Sequence, residues 1–157
     1  MTDAQLSGRV RRLMPSDAER MAIAVRQLKP EVQHLPQTPR ACQAFLDDVR
    51  SAFFLAEANA KPVGYAVAYI LPRVDRASSM VLLYEVEVHS QHRQQGVGRR
   101  LVQAVKQLAC REGACKMWTL TDQQNHPARQ LYRCAGGAEV EENLLIAWSE
   151  ENWATGD

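Results

Sequence analysis

Apolar residues recur along the chain in two rhythms. Compact runs rich in Val, Tyr, Phe and Ile alternate with stretches whose apolar positions fall three or four residues apart. Gly8–Met14 reads as a first strand, stopped by Pro15-Ser16-Asp17, where Ser16 or Asp17 can cap a helix. That helix carries Met21, Val25 and Leu28 on one face and ends at Pro30. Three prolines make Lys29–Pro39 a loop. Thr38-Pro39 then opens a second helix, running to about Arg50 with Phe45, Leu46 and Val49 inward. The runs Ala52–Ala58 and Val63–Leu71 flank the turn Asn59–Pro62, the signature of an antiparallel hairpin. Met80–Val88 is a third strong strand and Lys116–Leu120 a further one. Between them Arg99–Glu112 is helical, with Leu101, Val102, Val105 and Leu108 on one face and Gly113 as its stop. Pro127–Cys134 reads as a short helix and Asn143–Trp148 as a last strand. There is no repeat and no linker, so residues 1–157 read as one α/β domain.

Composition narrows the function. The 19 Lys+Arg balance 18 Asp+Glu, so the basic excess of a nucleic-acid binder is missing. No apolar run reaches the roughly 18–20 residues of a membrane span, and Met1–Arg12 is no signal peptide, which makes the cytoplasm the expected compartment. Cys42, Cys110, Cys115 and Cys134 form no C-x-x-C, and His34, His89, His92 and His126 show no H-x-x-x-H. The expectation is no metal and four reduced thiols, mostly packing residues, with Cys134 among them.

The chemistry concentrates in Tyr84–Arg100, YEVEVHSQHRQQGVGRR. A β-branched strand enters a polar turn, and the turn opens a helix through Arg93-Gln94-Gln95-Gly96-Val97-Gly98. Glycines admit a ligand close to the backbone, and free N–H groups at a helix start favour an anion such as pyrophosphate. Arg93, Arg99 and Arg100 add positive charge. Leu101 stands where a dinucleotide fingerprint needs its third glycine, and no Gly-Lys-Ser/Thr follows. Local chemistry leaves two readings, an anion site and a plain strand-to-helix turn.

Upstream, Glu85, Glu87 and His89 share one strand face, and Tyr84, Val86 and Val88 the other, packed inward. Neighbouring carboxylates raise each other's pKa toward general-base range and can hold an ammonium group; a solvated sheet face is the alternative. Asp122 is either a turn residue or an acidic contact for a cationic acceptor. Asn125 caps the short helix and is also a candidate ligand contact. His92 and His126 read as surface residues, and Trp148 and Trp153 as candidate contacts of a homodimer.

R-x-x-G-x-G between a strand and a long helix resembles the acyl-CoA pyrophosphate signature of the GCN5-related N-acetyltransferases, with Arg93, Gly96 and Gly98 in its fixed positions. Asn125, Ala128, Leu131 and Tyr132 match that family's N-x-x-A-x-x-L-Y segment, followed by a glycine at 136 or 137. Within the family, Tyr69–Arg73, Tyr84–Val86, His92–Gly96 and Asp122 before Pro127-Ala128 look most like the type I aminoglycoside 3-N-acetyltransferases. Glu85 stands where those enzymes carry an aspartate, and Asn125-His126 replaces an acidic pair.

The resemblance implies the GNAT fold, a mixed, mostly antiparallel central sheet with a splayed strand pair, flanked by helices. It implies acetyl-CoA as acetyl donor. Gln94, Gln95, Val97, Arg99 and Arg100 would surround the pyrophosphate with Arg93, Gly96 and Gly98, while Val86, Val88 and Asn125 complete the cofactor contacts. The acceptor amine would be held by Glu85, Glu87 and Asp122 and deprotonated by Glu85 or Glu87, and Tyr132 would protonate the departing thiolate. The implied acceptor is the 3-amino group of an aminoglycoside. The alternatives are a protein N-terminus, a lysine or a small metabolic amine, and a CoA-binding module without turnover.

Overall fold

The computed structural model describes residues 9–29, 31, 38–75 and 77–140. The strands are β1 (Arg9–Arg12), β2 (Ser51–Ala58), β3 (Lys61–Pro72), β4 (Ser79–Val88) and β5 (Lys116–Trp118). The helices are α1 (Ala18–Leu28), α2 (Pro39–Asp47), α3 (Val97–Arg111) and α4 (His126–Cys134). The strands form one sheet in chain order, antiparallel except for the parallel pair β4–β5. The expected strand Asn143–Trp148 and the dimer candidates Trp148 and Trp153 lie outside the described residues.

The sheet carries a core on each face, because its strands alternate two apolar sets. Phe54, Ala66, Val81 and Leu83 pack on α3 through Leu101, Val105 and Leu108. Phe53, Leu55, Tyr65 and Val67 pack on α1 and α2 through Met21, Ala24, Cys42 and Leu46. Thr38 caps α2 by accepting from the Ala41 N–H. That helix stops at Asp47, earlier than its apolar pattern suggests, because Asp48 turns extended and binds the Arg50 backbone N–H. Val49 is consequently 81% exposed rather than inward. The β2–β3 turn puts Asn59 and Ala60 at φ 50° and 59°.

Two irregularities shape the end of β4. The β4–β5 pairing stops at Leu82↔Trp118, so the strands part and the last six residues of β4 keep one edge without a strand partner among the described residues. In addition, Val67 pairs with Glu85 but Ala68 with Leu83, which leaves Tyr84 as a bulge. Gly64 allows β3 to lie close here: a Cβ would come within 2.8 Å of the Glu87 carbonyl oxygen and 3.1 Å of Val97 Cγ1. Gly64→Ala is therefore expected to cost about 1–3 kcal/mol, visible as a lowered urea midpoint with unchanged slope.

Candidate functional site

The turn after β4 gathers backbone N–H groups and a guanidinium around one concavity. Gln94 and Gly96 both have positive φ, 59° and 78°, and alternate with ordinary residues, so successive N–H groups curve around one concavity. Gly96 is the N-cap of α3, whose first N–H groups emerge there. Arg100 lies one turn along, its Nη1 3.4 Å from where a Gly96 Cβ would stand. Its Nε and Nη2 are buried without a hydrogen-bond partner among the described residues. Two buried, unmatched guanidinium nitrogens beside a helix N-terminus fit an anionic group such as pyrophosphate. Gly98 has a different reason: a Cβ there would stand 3.1 Å from Leu131 and 3.7 Å from Val88, so it lets α3 and α4 close together. Gln95 is tied to its own loop, its Nε2 donating to the Gln91 carbonyl at 2.8 Å.

On the opposite face, Glu85 and Glu87 point toward α1. Glu85 is ion-paired with Lys29, the residue that ends α1, and that bond raises the lysine's pKa. Burial pushes Glu87 above the usual carboxylate range, while the Val88 N–H and the Arg93 guanidinium pull it down; the charge of Glu85 adds a smaller upward push. Desolvation, more than like-charge repulsion, thus sets its basicity. The bulge corrects the expected alternation. Tyr84 does not pack inward with Val86 and Val88; it lies on the carboxylate side, edge-on to Tyr69 at 5.6 Å, and is 63% exposed.

Arg93 turns away from the anion turn. Its Nε donates to the Val88 carbonyl at 3.1 Å, and its Nη2 is 3.6 Å from Glu87. His89 caps the short turn after β4, accepting at Nδ1 from the Gln91 N–H at 3.3 Å. The N–H of His89 bonds the Val63 carbonyl of β3, so by alternation the N–H groups of Val88 and Val86 face the open edge. The open edge therefore separates the anion turn from the carboxylates. A polar cleft of about 380 Å³, walled by Gln27, Glu31, Glu87, His89 and Arg93, lies on the carboxylate side.

Tyr132 packs against α3, its phenol pushed up in pKa by burial and drawn down by the Thr119 hydroxyl. Asn125 caps α4, accepting from the Ala128 N–H at 3.2 Å. Asp122 folds into its own turn, its carboxylate accepting from the Gln124 N–H at 2.6 Å. Asp122 lines neither cleft on the carboxylate side. Asp48 and Asp75 are each bound to a nearby arginine, Arg50 and Arg73. Of the carboxylates expected to hold the acceptor, Glu85 and Glu87 line these clefts and Asp122 does not, while Glu31, absent from that expectation, joins Glu87. No cluster of metal-ligating side chains occurs among the described residues.

Residues 19–136 match the family model described as Acetyltransferase (GNAT) family. The chain belongs to the GNAT acetyltransferase family. In sequence this GNAT chain is 26% identical over 107 residues to human N-acetyltransferase 8, covering 68% of this chain and 47% of that protein. It is 28% identical over 108 residues to rat N-acetyltransferase 8, covering 68% and 49%. It thus spans about half the length of these relatives. In fold it resembles an aminoglycoside acetyltransferase from an uncultured soil metagenomic sample, solved with trehalose, at TM-score 0.79 and 20% identity over 90% of this chain and 95% of that one. It also resembles an aminoglycoside N-acetyltransferase solved with CoA, at TM-score 0.75 and 23% identity over 92% and 96%. No helix among the described residues of this GNAT chain is long and apolar enough to cross a membrane.

Several features of this GNAT site escaped the sequence reading. Lys29 opens the stretch that reads as a proline-rich loop, yet it is ion-paired with Glu85. Tyr65 reads as a β former, yet it is 1% exposed with its hydroxyl buried beside the Glu85 carboxylate. Of the four thiols only Cys42 is buried; Cys110, Cys115 and Cys134 are exposed, so Cys134 is no packing residue. His92 is half-buried, with its Nδ1 enclosed and without a partner among the described residues, rather than a surface residue.

Proposed function

We propose that this chain transfers an acetyl group from acetyl-CoA to a primary amine by direct attack. One observation carries the reading: an anion cradle with an unmatched buried arginine and a desolvated carboxylate lie at the same end of β4, on either side of its open edge. Gly96, Val97 and the N–H groups from Gln94 to Arg99 would hold the pyrophosphate, with Arg100 completing its charge. The Val86 backbone, on the open edge, would bond the pantetheine amide. Arg93 would swing from the Val88 carbonyl toward the pyrophosphate, which frees Val88 for the second amide and leaves Glu87 without its cation. Asn125 supports the site by capping α4.

In the transfer, Glu87 takes a proton from the bound ammonium and passes it to solvent; Glu85 is the weaker candidate because Lys29 occupies it. The amine nitrogen bonds the thioester carbon and gives up its second proton to solvent through Glu87, the carbon–sulfur bond breaks, and the thiolate takes the phenol proton of Tyr132, which solvent restores. Thiolates, with a pKa near 8.5, leave with little help. Tyr132→Phe is accordingly expected to lower kcat by less than about tenfold, with acetyl-CoA affinity unchanged in a calorimetric titration.

A second reading makes the acceptor an aminoglycoside acetylated at its 3-amino group. The likeness over Tyr69–Arg73, Tyr84–Val86 and Asp122–Ala128 supports it, and so does the polar cleft beside Glu31 and Glu87. Such a polycation calls for several uncompensated carboxylates, including Asp122 after a change in its loop. A growth challenge with gentamicin-like, fortimicin-like and kanamycin-like drugs in bacteria expressing the chain tests it. Protection with acetylated drug in the lysate supports the 3-amino reading; growth arrest by all of them excludes it.

A further inference from the structure

The wall next to Glu85 is aromatic, and nothing in the proposed transfer accounts for it. Val25, Phe45, Tyr69 and Tyr84 surround a cavity of about 200 Å³ that ends at Lys29 and Glu85. Tyr69 stands edge-on to both other rings, 6.0 Å from Phe45 and 5.6 Å from Tyr84, so the three form one continuous apolar side. The Tyr65 hydroxyl, also on the cavity wall, is buried beside the Glu85 carboxylate. The bulge at Tyr84 matters here, because it puts the adjacent Tyr84 and Glu85 on the same face of the sheet, where regular alternation would separate them.

We infer that the acceptor is a singly charged primary amine bearing an aryl or comparably broad apolar group, which this aromatic cavity takes while the ammonium lies at Glu85 and Glu87. The inference rests on the acetyltransferase reading and adds the substrate class to it. Size permits it: an apolar cavity of about 150 Å³ accepts benzene. Charge favours it as well. Glu31, Glu85 and Glu87 face Lys29 and Arg93, leaving one negative charge in excess, enough for one ammonium. A second and third ammonium would meet Lys29 at short range.

The test compares phenethylamine, ethylamine and kanamycin as acceptors with saturating acetyl-CoA. Burying a phenyl ring should raise kcat/KM for phenethylamine over ethylamine about tenfold or more. Tyr84→Ala, at an exposed ring whose loss leaves both cores intact, and Phe45→Ala should each shrink that ratio severalfold without altering acetyl-CoA affinity. Equal use of the two monoamines, or a preference for kanamycin, overturns the inference. A parallel calorimetric titration with phenethylamine alone separates the two readings. Binding that Tyr84→Ala weakens, with no amine acetylated, keeps the cavity assignment and discards the acetyltransferase reading. Absence of both binding and turnover of phenethylamine overturns the inference.

Discussion

Gly96→Glu is expected to lower acetyl-CoA affinity at least tenfold, about 1.4 kcal/mol. The substitution puts a carboxylate at the N-cap of α3, where the first N–H groups and the Arg100 guanidinium converge. It also strains the backbone, because Gly96 has φ 78°. Arg100→Ala separates the two effects. It leaves the turn conformation alone, removes the unmatched guanidinium, and should weaken acetyl-CoA by a similar factor. Calorimetric titration of both folded variants reads the result. Wild-type affinity in Arg100→Ala would mean that its buried nitrogens serve something other than the cofactor.

Glu87→Gln is expected to reduce kcat/KM about 100-fold or more, the range for loss of a general base, and to leave acetyl-CoA affinity near wild type. Its pH behaviour carries the stronger inference. Burial raises the Glu87 pKa above its ordinary value of 4.5, and the base works only when ionised. Wild-type rate should therefore rise with pH through that raised value and level off above it, and this limb should vanish in Glu87→Gln. The same upward shift means that the folded chain binds a proton at Glu87 more tightly than the unfolded chain does. Its contribution to stability is full below 4.5 and is lost as pH rises through the raised value, so activity and stability move in opposite directions there. Glu85→Gln should behave differently. It frees Lys29, and it should raise the acceptor KM more than it lowers kcat.

The parts of this molecule legible in the sequence are those fixed by local rules. Periodicity placed α1 to α4 and β1 to β5, to within a few residues at their ends, because each face of the sheet needs its own apolar set. The Thr38 and Asn125 caps and the Gly113 stop follow from side-chain and backbone chemistry within a few residues. The glycine turn that opens α3 was legible for the same reason, since its place between a strand and a helix is local; local chemistry leaves open whether it holds an anion. What stayed hidden depends on contacts across the fold. A bulge at Tyr84 puts two adjacent side chains, Tyr84 and Glu85, on one face, and alternation alone contains no sign of it. Lys29 meets Glu85 across 56 residues of chain, a pairing that no spacing reveals. Gly64 and Gly98 look like ordinary glycines until β3, α3 and α4 converge on them. Asp122 carried the right charge for an acceptor contact, but its local turn claims the carboxylate.

The most direct measurement of the central claim is amine-dependent release of free thiol from acetyl-CoA, with the product weighed by mass spectrometry. Thiol should appear only when a primary amine is present, in step with an amide that carries one added acetyl group, and no acetylated protein should accumulate. Tight acetyl-CoA binding with thiol release that no amine accelerates, or acetyl retained on the chain itself, would contradict direct transfer from the cofactor to an amine.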